Sequence, residues 1–321
     1  MSDSVVLSQV VETLKNARSV FIAAHIMPDG DCVGSQLALA HALRVLDKRV
    51  TLSIDDRVPE SLNFLVGVKE IAPREPSAED VFVYIDGSDS KRYGKALNRE
   101  KIGQRPVILI DHHATNEPFG DLNLVDMNAA STAEIVYDLI RALDVPISTI
   151  IAQVLLTGIV TDTLGFRTTS TTPETLEKAT MLVRCGGSIP QIIDQVYNRR
   201  SYNALRVVGY ALANAKLDGE VIWSAVDFKT QQALGLDGNG TGGIVNQLLT
   251  VAEARIAFFI VEKEDGRGDL SIRSRDTLDI SRVAQRLGGG GHKQAAGAML
   301  PPPFSTAPQR VLDAIREEFH S

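Results

Sequence analysis

The chain has 321 residues, a formal net charge of −7, 44% hydrophobic residues and 23% charged ones, which fits a globular protein long enough for two domains. No apolar run is long enough to cross a bilayer, the start Met1-Ser2-Asp3-Ser4 lacks the basic residues of a secretion signal, and the two cysteines, Cys32 and Cys185, make no disulfide framework, so the expectation is a cytoplasmic protein without membrane partners. The acidic balance argues against sequence-blind binding to long nucleic acid, which needs a basic face, but leaves room for a small anionic substrate held by metals and a few arginines.

Residues 5–17 read as a short amphipathic helix, and Ser19 to Ala24 as a buried strand that ends at His25. The next residues give His25-x-x-x-Asp29-x-Asp31, with Pro28 and Gly30 allowing a tight loop that turns all three side chains inward. Taken singly, Asp31 is a helix N-cap and the other two are loop residues; as a set they point to a metal. The helix that follows has Leu39, Leu43 and Leu46 on one face. Strands are expected over 49–54, over 81–85 ending in Asp86, and over Val107-Ile108-Leu109-Ile110, which leads to Asp111-His112-His113. Ser131-Thr132-Ala133-Glu134 has the pattern of a capping box before a helix, and the apolar segment Ile150 to Val160 reads as a helix ending at Thr161-Asp162-Thr163.

Four segments thus end in acids or histidines. Strands alternating with helices bring such ends to the carboxyl rim of one parallel sheet. Mixed carboxylate and imidazole donors suit Mn or a similar divalent ion, with Zn or Fe as alternatives. Six such donors fit two ions sharing one acid, and a metal pair about 3.5–4 Å apart is a common device for hydrolysing phosphate esters.

Gly186-Gly187-Ser188 and Pro190 break the chain, and the helical pieces over 189–216 read as a hinge. A second domain from about 217 has strands expected at 221–227, 255–262 and 269–274. The glycine-rich stretch Asp237 to Gly243 lacks the Gly-Lys-Ser/Thr of a nucleotide P-loop and reads as a loop before a helix at Ile244. In Ser271-Ile272-Arg273-Ser274-Arg275, the two arginines share a strand face and can fork onto phosphate oxygens. Four glycines, Gly288 to Gly291, precede His292, and more than a helix cap needs, they point to close approach of a ligand. Pro301-Pro302-Pro303 breaks the chain before a C-terminal helix.

With these residues in view, the sequence resembles the DHH phosphoesterase superfamily over nearly its whole length. The first half matches through His25, Asp29, Asp31, Asp86, Asp111-His112-His113 and Asp162; the second matches the DHH-associated domain through Ser271 to Arg275, Gly288 to His292 and Ala295-Ala296-Gly297. The pairing is most similar to the stand-alone nano-RNase and pAp-phosphatase branch. The fold this implies is α/β: a parallel-sheet DHH domain with helices on both faces (1–188), a helical linker (189–216), and a smaller α/β substrate-binding domain (217–321) across a cleft.

The resemblance also implies roles. His25, Asp29 and Asp86 would hold one metal ion; Asp31, Asp86, His112 and Asp162 would hold the other. Both would be Mn2+, with Mg2+ or Co2+ as alternatives. Asp111 would steady the histidines and His113 would sit at the scissile phosphate. Arg273, Arg275, His292, Gly290, Gly291 and Asn246 would bind substrate. Where many relatives have an acid before the turn that carries Asn246, this chain has Gly242. The activity implied is hydrolysis, by a hydroxide bridging the two metals, of short oligoribonucleotides, pApA or pAp. A cyclic-di-AMP phosphodiesterase and a non-catalytic nucleotide-binding protein are the alternatives. The oligomeric state stays open, with a homodimer among the options.

Overall fold

The computed structural model describes residues 3–113, 116–236, 242–275 and 278–319, and of Asp3 and His292 the backbone alone. The chain divides into two compact units between Arg199 and Arg200. The first unit contains α1 (Asp3–Asn16), β1 (Ser19–Ala24), α2 (Gly30–Val45), β2 (Arg49–Ser53), β3 (Val81–Ile85), α3 (Arg99–Ile102), β4 (Val107–Asp111), β5 (Leu122–Val125), α4 (Thr132–Ala142), α5 (Thr149–Asp162), α6 (Pro173–Arg184) and α7 (Ile189–Ile192). The second contains α8 (Tyr202–Ala213), β6 (Lys216–Asp218), β7 (Val221–Val226), α9 (Phe228–Ala233), α10 (Ile244–Leu248), β8 (Ile256–Glu262), β9 (Gly268–Ser274), α11 (Ser281–Arg286), β10 (Gly290–His292), β11 (Ala295–Leu300) and α12 (Ala307–Phe319).

The sheet of the first unit runs β2-β1-β3-β4-β5, parallel throughout. Strands β1, β3 and β4 are buried at every residue, because apolar side chains point to both sides and both sides are covered. The alternation separates two cores. Val20, Ile22, Val83, Ile108 and Ile110 pack under α1, α2, α4 and α5. Phe21, Phe82, Tyr84 and Leu109 face the other way, against Tyr93 and Ala96 of a 3₁₀ turn and Ile102 of α3, so that face has a thinner cover. Helix α2 is buried nearly all round, more than a one-face leucine pattern implies. It reaches α5 through glycine: a Cβ on Gly34 would lie 2.4 Å from the Val154 carbonyl oxygen.

The second unit is a six-stranded sheet, β10-β11-β9-β8-β7-β6, parallel between β7 and β8 and antiparallel elsewhere. Helices α8 and α10 cover one face and α11 and α12 the other. The loop reading for Asp237 to Gly243 falls largely outside the described residues; α10 does begin at Ile244, with Gly243 before it at φ 82°.

Two local readings change. Ser131 precedes α4 but its side chain makes no capping bond, and Glu134 faces Lys178 at 3.6 Å instead of closing a capping box. The reciprocal box forms at α6, between Thr172 and Thr175. The strands β5, β6, β10 and β11 were not expected. Gly290-Gly291-His292 has almost no intrinsic strand preference and is a strand because β11 pairs with it.

Candidate metal centre

Each candidate ligand is set by the end of one element. His25 follows β1 and is 2% exposed. Its Nδ1 lies 2.7 Å from the Ile26 carbonyl oxygen, which can only accept, so Nδ1 carries the proton and Nε2 keeps its lone pair for a metal. Asp29 is the N-cap of α2. Its Oδ1 accepts the N–H groups of Asp31 and Cys32, both at 3.0 Å, while Oδ2 lies 3.8 Å from His25 Nε2. Asp86 follows β3 in a left-handed conformation, φ 62°, that a non-glycine residue holds only where its surroundings enforce it. Its Oδ2 lies 3.5 Å from His25 Nε2 and its Oδ1 lies 3.7 Å from His112 Nε2. One carboxylate therefore spans the two imidazoles.

On the other side, His112 directs Nδ1 at the Ala129 carbonyl, 3.2 Å away, and its Nε2 lies 3.4 Å from Oδ2 of Asp162, the last residue of α5. Asp31, 1% exposed, accepts the Thr132 and Ala133 N–H groups at the start of α4 at 2.7 and 2.9 Å, and the Ser35 hydroxyl at 3.1 Å. Its ligand atom, with those of His112 and Asp162, forms one group within 4.8 Å; His25, Asp29 and Asp86 form another, joined by Cys32. Burial pushes the Cys32 thiol up to about 12, so without a metal it stays protonated.

Asp111 ends β4 with no exposure. Its Oδ1 is 2.6 Å from His113 Nδ1 and its Oδ2 accepts the Asn116 side-chain amide. His113 also brings Nδ1 to 3.7 Å from Asp86 Oδ1.

Charge crowding marks the centre. Burial raises the carboxyls of Asp31 and Asp162 well above the ordinary range, and neighbouring carboxylates add to it: Asp86 and Asp162 for Asp31, Asp29 and Asp86 for Asp162. Asp86 goes the other way. Burial resists its charge, but the His25 hydrogen bond and the charges of His113, His25 and His112 hold it well below. Burial likewise opposes the charged forms of His25 and His112, yet both are raised, by Cys32, Asp86 and Asp29 for the first and by Asp86, Asp31 and Asp111 for the second. Buried carboxylates that repel one another, beside imidazoles with inward lone pairs, fit divalent cations of the Mn, Zn or Fe type.

The second unit supplies a different surface. On β9, Ser271 and Arg273 share a face. The register sets Arg273 opposite Ala295, and Ala295 opposite His292. The His292 side chain lies outside the described residues. The guanidinium of Arg273 donates to the Ile272 carbonyl at 2.9 Å, and burial lowers its pKa. Arg275, just past β9, donates to the Leu249 carbonyl. Asn246 stands in α10, half-buried. A Cβ at Gly291 would lie 2.5 Å from the Ala295 carbonyl oxygen, so packing requires that glycine; a Cβ at Gly290 would meet nothing within 4 Å.

Sequence reasoning missed Thr132, which donates its hydroxyl to Asp86, and Asn116 and Arg92, which touch Asp111 and His25. The first and last leave no sequence signal, since fold alone brings them there; Asn116 lies close enough after Asp111 to have been noticed.

Comparison with known proteins agrees with the α/β fold. Residues 19–159 match the DHH family N-terminal domain and residues 218–321 match the DHHA1 domain. The bifunctional oligoribonuclease and PAP phosphatase NrnA of Thermus thermophilus is 35% identical over 96% of this chain and 93% of its own length. The protein of the same description from Bacillus subtilis is 28% identical over 91% of this chain and 93% of its own. The crystal structure of an exopolyphosphatase-related protein from Bacteroides fragilis superposes with a TM-score of 0.92 at 26% identity, covering 98% of this chain and 96% of that one.

Proposed function

The chain belongs to the DHH family, and on that premise we propose that it is a metal-dependent phosphoester hydrolase acting on short oligoribonucleotides, pApA among them, to release mononucleotides, and on pAp to release AMP and phosphate. The observation that carries this is Asp86, whose two oxygens face His25 on one side and His112 on the other. Relatives described as oligoribonucleases and PAP phosphatases along nearly the whole chain support the substrate class.

His25, Asp29 and Asp86 would hold one divalent ion, and Asp31, Asp86, His112 and Asp162 a second. Mn2+ is the ion we propose, with Mg2+ or Co2+ as alternatives. Bound there, such ions supply Lewis acidity and lower the pKa of water, so that a nucleophile exists near neutral pH. His113, held through Nδ1 by the Asp111 carboxylate, stabilises negative charge that develops on the phosphate. Asp111 fixes the orientation of the His113 ring without touching the reacting atoms. Arg273, Arg275, His292 and Asn246 hold a second phosphate or a base of the short substrate, with Gly290 and Gly291 keeping the backbone open to it.

The test is product analysis with metal-stripped protein reloaded with Mn2+ and offered pApA, pAp, a short RNA, cyclic-di-AMP and pyrophosphate. AMP released from pApA and pAp, with pyrophosphate untouched, supports the proposal. Cleavage of cyclic-di-AMP in preference to both would shift the assignment to a cyclic-dinucleotide phosphodiesterase. No turnover with Mn2+ confirmed bound would overturn hydrolysis.

A further inference from the structure

The metal centre has a cationic neighbour that the ligand set does not use. Arg92 stands in the 3₁₀ turn Ser90–Ala96, shortly after Asp86. Its carbonyl accepts the Ile26 N–H at 2.7 Å, which fastens this turn to the loop that follows His25. Its guanidinium Nη2 lies 3.2 Å from His25 Nδ1. That approach is not a hydrogen bond. Nδ1 already directs its proton at the Ile26 carbonyl, and a guanidinium has only donors, so two donors face each other. Among the described residues, no carboxylate makes an ion pair with Arg92. A half-buried guanidinium thus stands beside a proposed metal ligand, on the Nδ1 side of its ring, and among the described residues it makes no ion pair.

Charge balance shows what this cation can serve. The proposed ligand set contains four carboxylates, those of Asp29, Asp31, Asp86 and Asp162. Two divalent ions offset them and leave the loaded centre formally neutral. A neutral centre does little to draw a phosphodiester anion out of water. Both pApA and pAp carry two phosphates, so a second anion site is needed besides the Arg273 surface. We infer that Arg92 is a phosphate-binding residue of the first unit, which takes non-bridging oxygens of the phosphate seated at the metal centre and supplies its surplus positive charge. This rests on the proposed metal centre, and on the proposed substrates only for the expectation of two anion sites.

The test uses the full chain loaded with Mn2+, its R92Q and R92K variants, and inorganic phosphate as probe. Mn2+ content is read by electron paramagnetic resonance and phosphate affinity by broadening of the ³¹P signal. We expect R92Q to keep its Mn2+ and to bind phosphate about tenfold or more weakly, the loss of a charge-assisted contact, with R92K intermediate. If pApA is turned over, its KM should rise less steeply with salt in R92Q, one charged contact fewer. Phosphate affinity unchanged in R92Q overturns the inference. So does loss of Mn2+ from R92Q, which would make Arg92 a support for the His25 loop. If the natural chain binds Mn2+ and phosphate with the expected Arg92 dependence but hydrolyses none of the panel, the proposed activity fails and this site stands.

Discussion

The Thr132 hydroxyl donates to Asp86 Oδ1 at 2.8 Å, and the backbone N–H of the same residue donates to Asp31 Oδ2 at 2.7 Å. The start of α4 therefore sets two carboxylates of the proposed centre, one through a side chain and one through the backbone. Replacing Thr132 with Val removes only the first. Such outer partners of ligands are worth about 10- to 100-fold in metal affinity. T132V should show that loss in a Mn2+ titration, keep its fold, and regain turnover at high Mn2+. T132S should bind Mn2+ like the natural chain. Unchanged affinity in T132V would mean that the strained backbone at Asp86 holds the carboxylate unaided.

Asp111 has its charge spent on one imidazole and one amide. In D111N the shape survives and the charge does not, so His113 Nδ1 loses its carboxylate acceptor. The expectation is a fall in kcat of about 10²-fold or more, the usual worth of a proton-transfer or charge-stabilising group, with Mn2+ content unchanged. H113A should cost about as much, and the double variant little more than either alone, because the two act as a unit. Additive losses would show that Asp111 and His113 work separately.

The shifted groups predict an unusual pH dependence for the metal-free chain. His25 and His112 have folded values above the ordinary 6.5, so the stability they contribute is fully present below 6.5 and is lost as pH rises through their folded values. Asp31 and Asp162, raised above 3.8, act in the same direction: above 3.8 the unfolded chain ionises first and the folded state weakens. Asp86 is depressed, so its contribution is present above 3.8 and lost only as pH falls through its folded value. Thermal melts in chelator should therefore fall as pH rises above about 3.8, and fall further above about 6.5 where the two histidines add to the loss. On the proposed ligand set, Mn2+ would take the place of the protons, so the drop should vanish in Mn2+ and metal affinity should climb over the same range. A flat or rising melting temperature in chelator would contradict the shifts.

What the sequence made legible follows from which interactions are local. β1, β3 and β4 are near-continuous apolar runs, and a run buried on both faces ends where its first acid or histidine stands, which is how His25, Asp86 and Asp111 could be placed on one rim. Asp162 was legible because α5 is apolar to its last turn. The contacts that hold these side chains were not. Thr132 and Ala133 reach Asp31 with backbone N–H groups, which every residue but proline has, across more than a hundred residues of chain. Glu134 fitted a capping box by spacing, but Lys178 lies within 3.6 Å, and an ion pair formed by tertiary packing displaced the local motif. β10 could not be read because glycine carries no strand preference, and its partner β11 is a run of small residues whose pairing depends on β9.

Within β10, adjacent glycines should behave differently. Gly291 has φ 141°, and a Cβ there would fall 2.5 Å from the Ala295 carbonyl oxygen and 2.6 Å from Ala296 Cα, so G291A must push β10 away from β11. Forced crowding of this kind costs about 1–3 kcal/mol. The single tryptophan, Trp223, stacks on Phe258 in the same sheet with ring centroids 5.6 Å apart, so its fluorescence reports unfolding of this unit. G291A should lower the denaturation midpoint followed at Trp223. Gly290 meets nothing within 4 Å at its Cβ, so neither packing nor strain explains a glycine there. G290V should leave the midpoint within about 0.5 kcal/mol of the natural chain. It should nevertheless raise KM for pApA about tenfold, by covering backbone that the substrate approaches. If G290V instead binds substrate normally, the bare backbone at Gly290 has no part in recognition, and the substrate contacts of this unit fall to Arg273 and its neighbours.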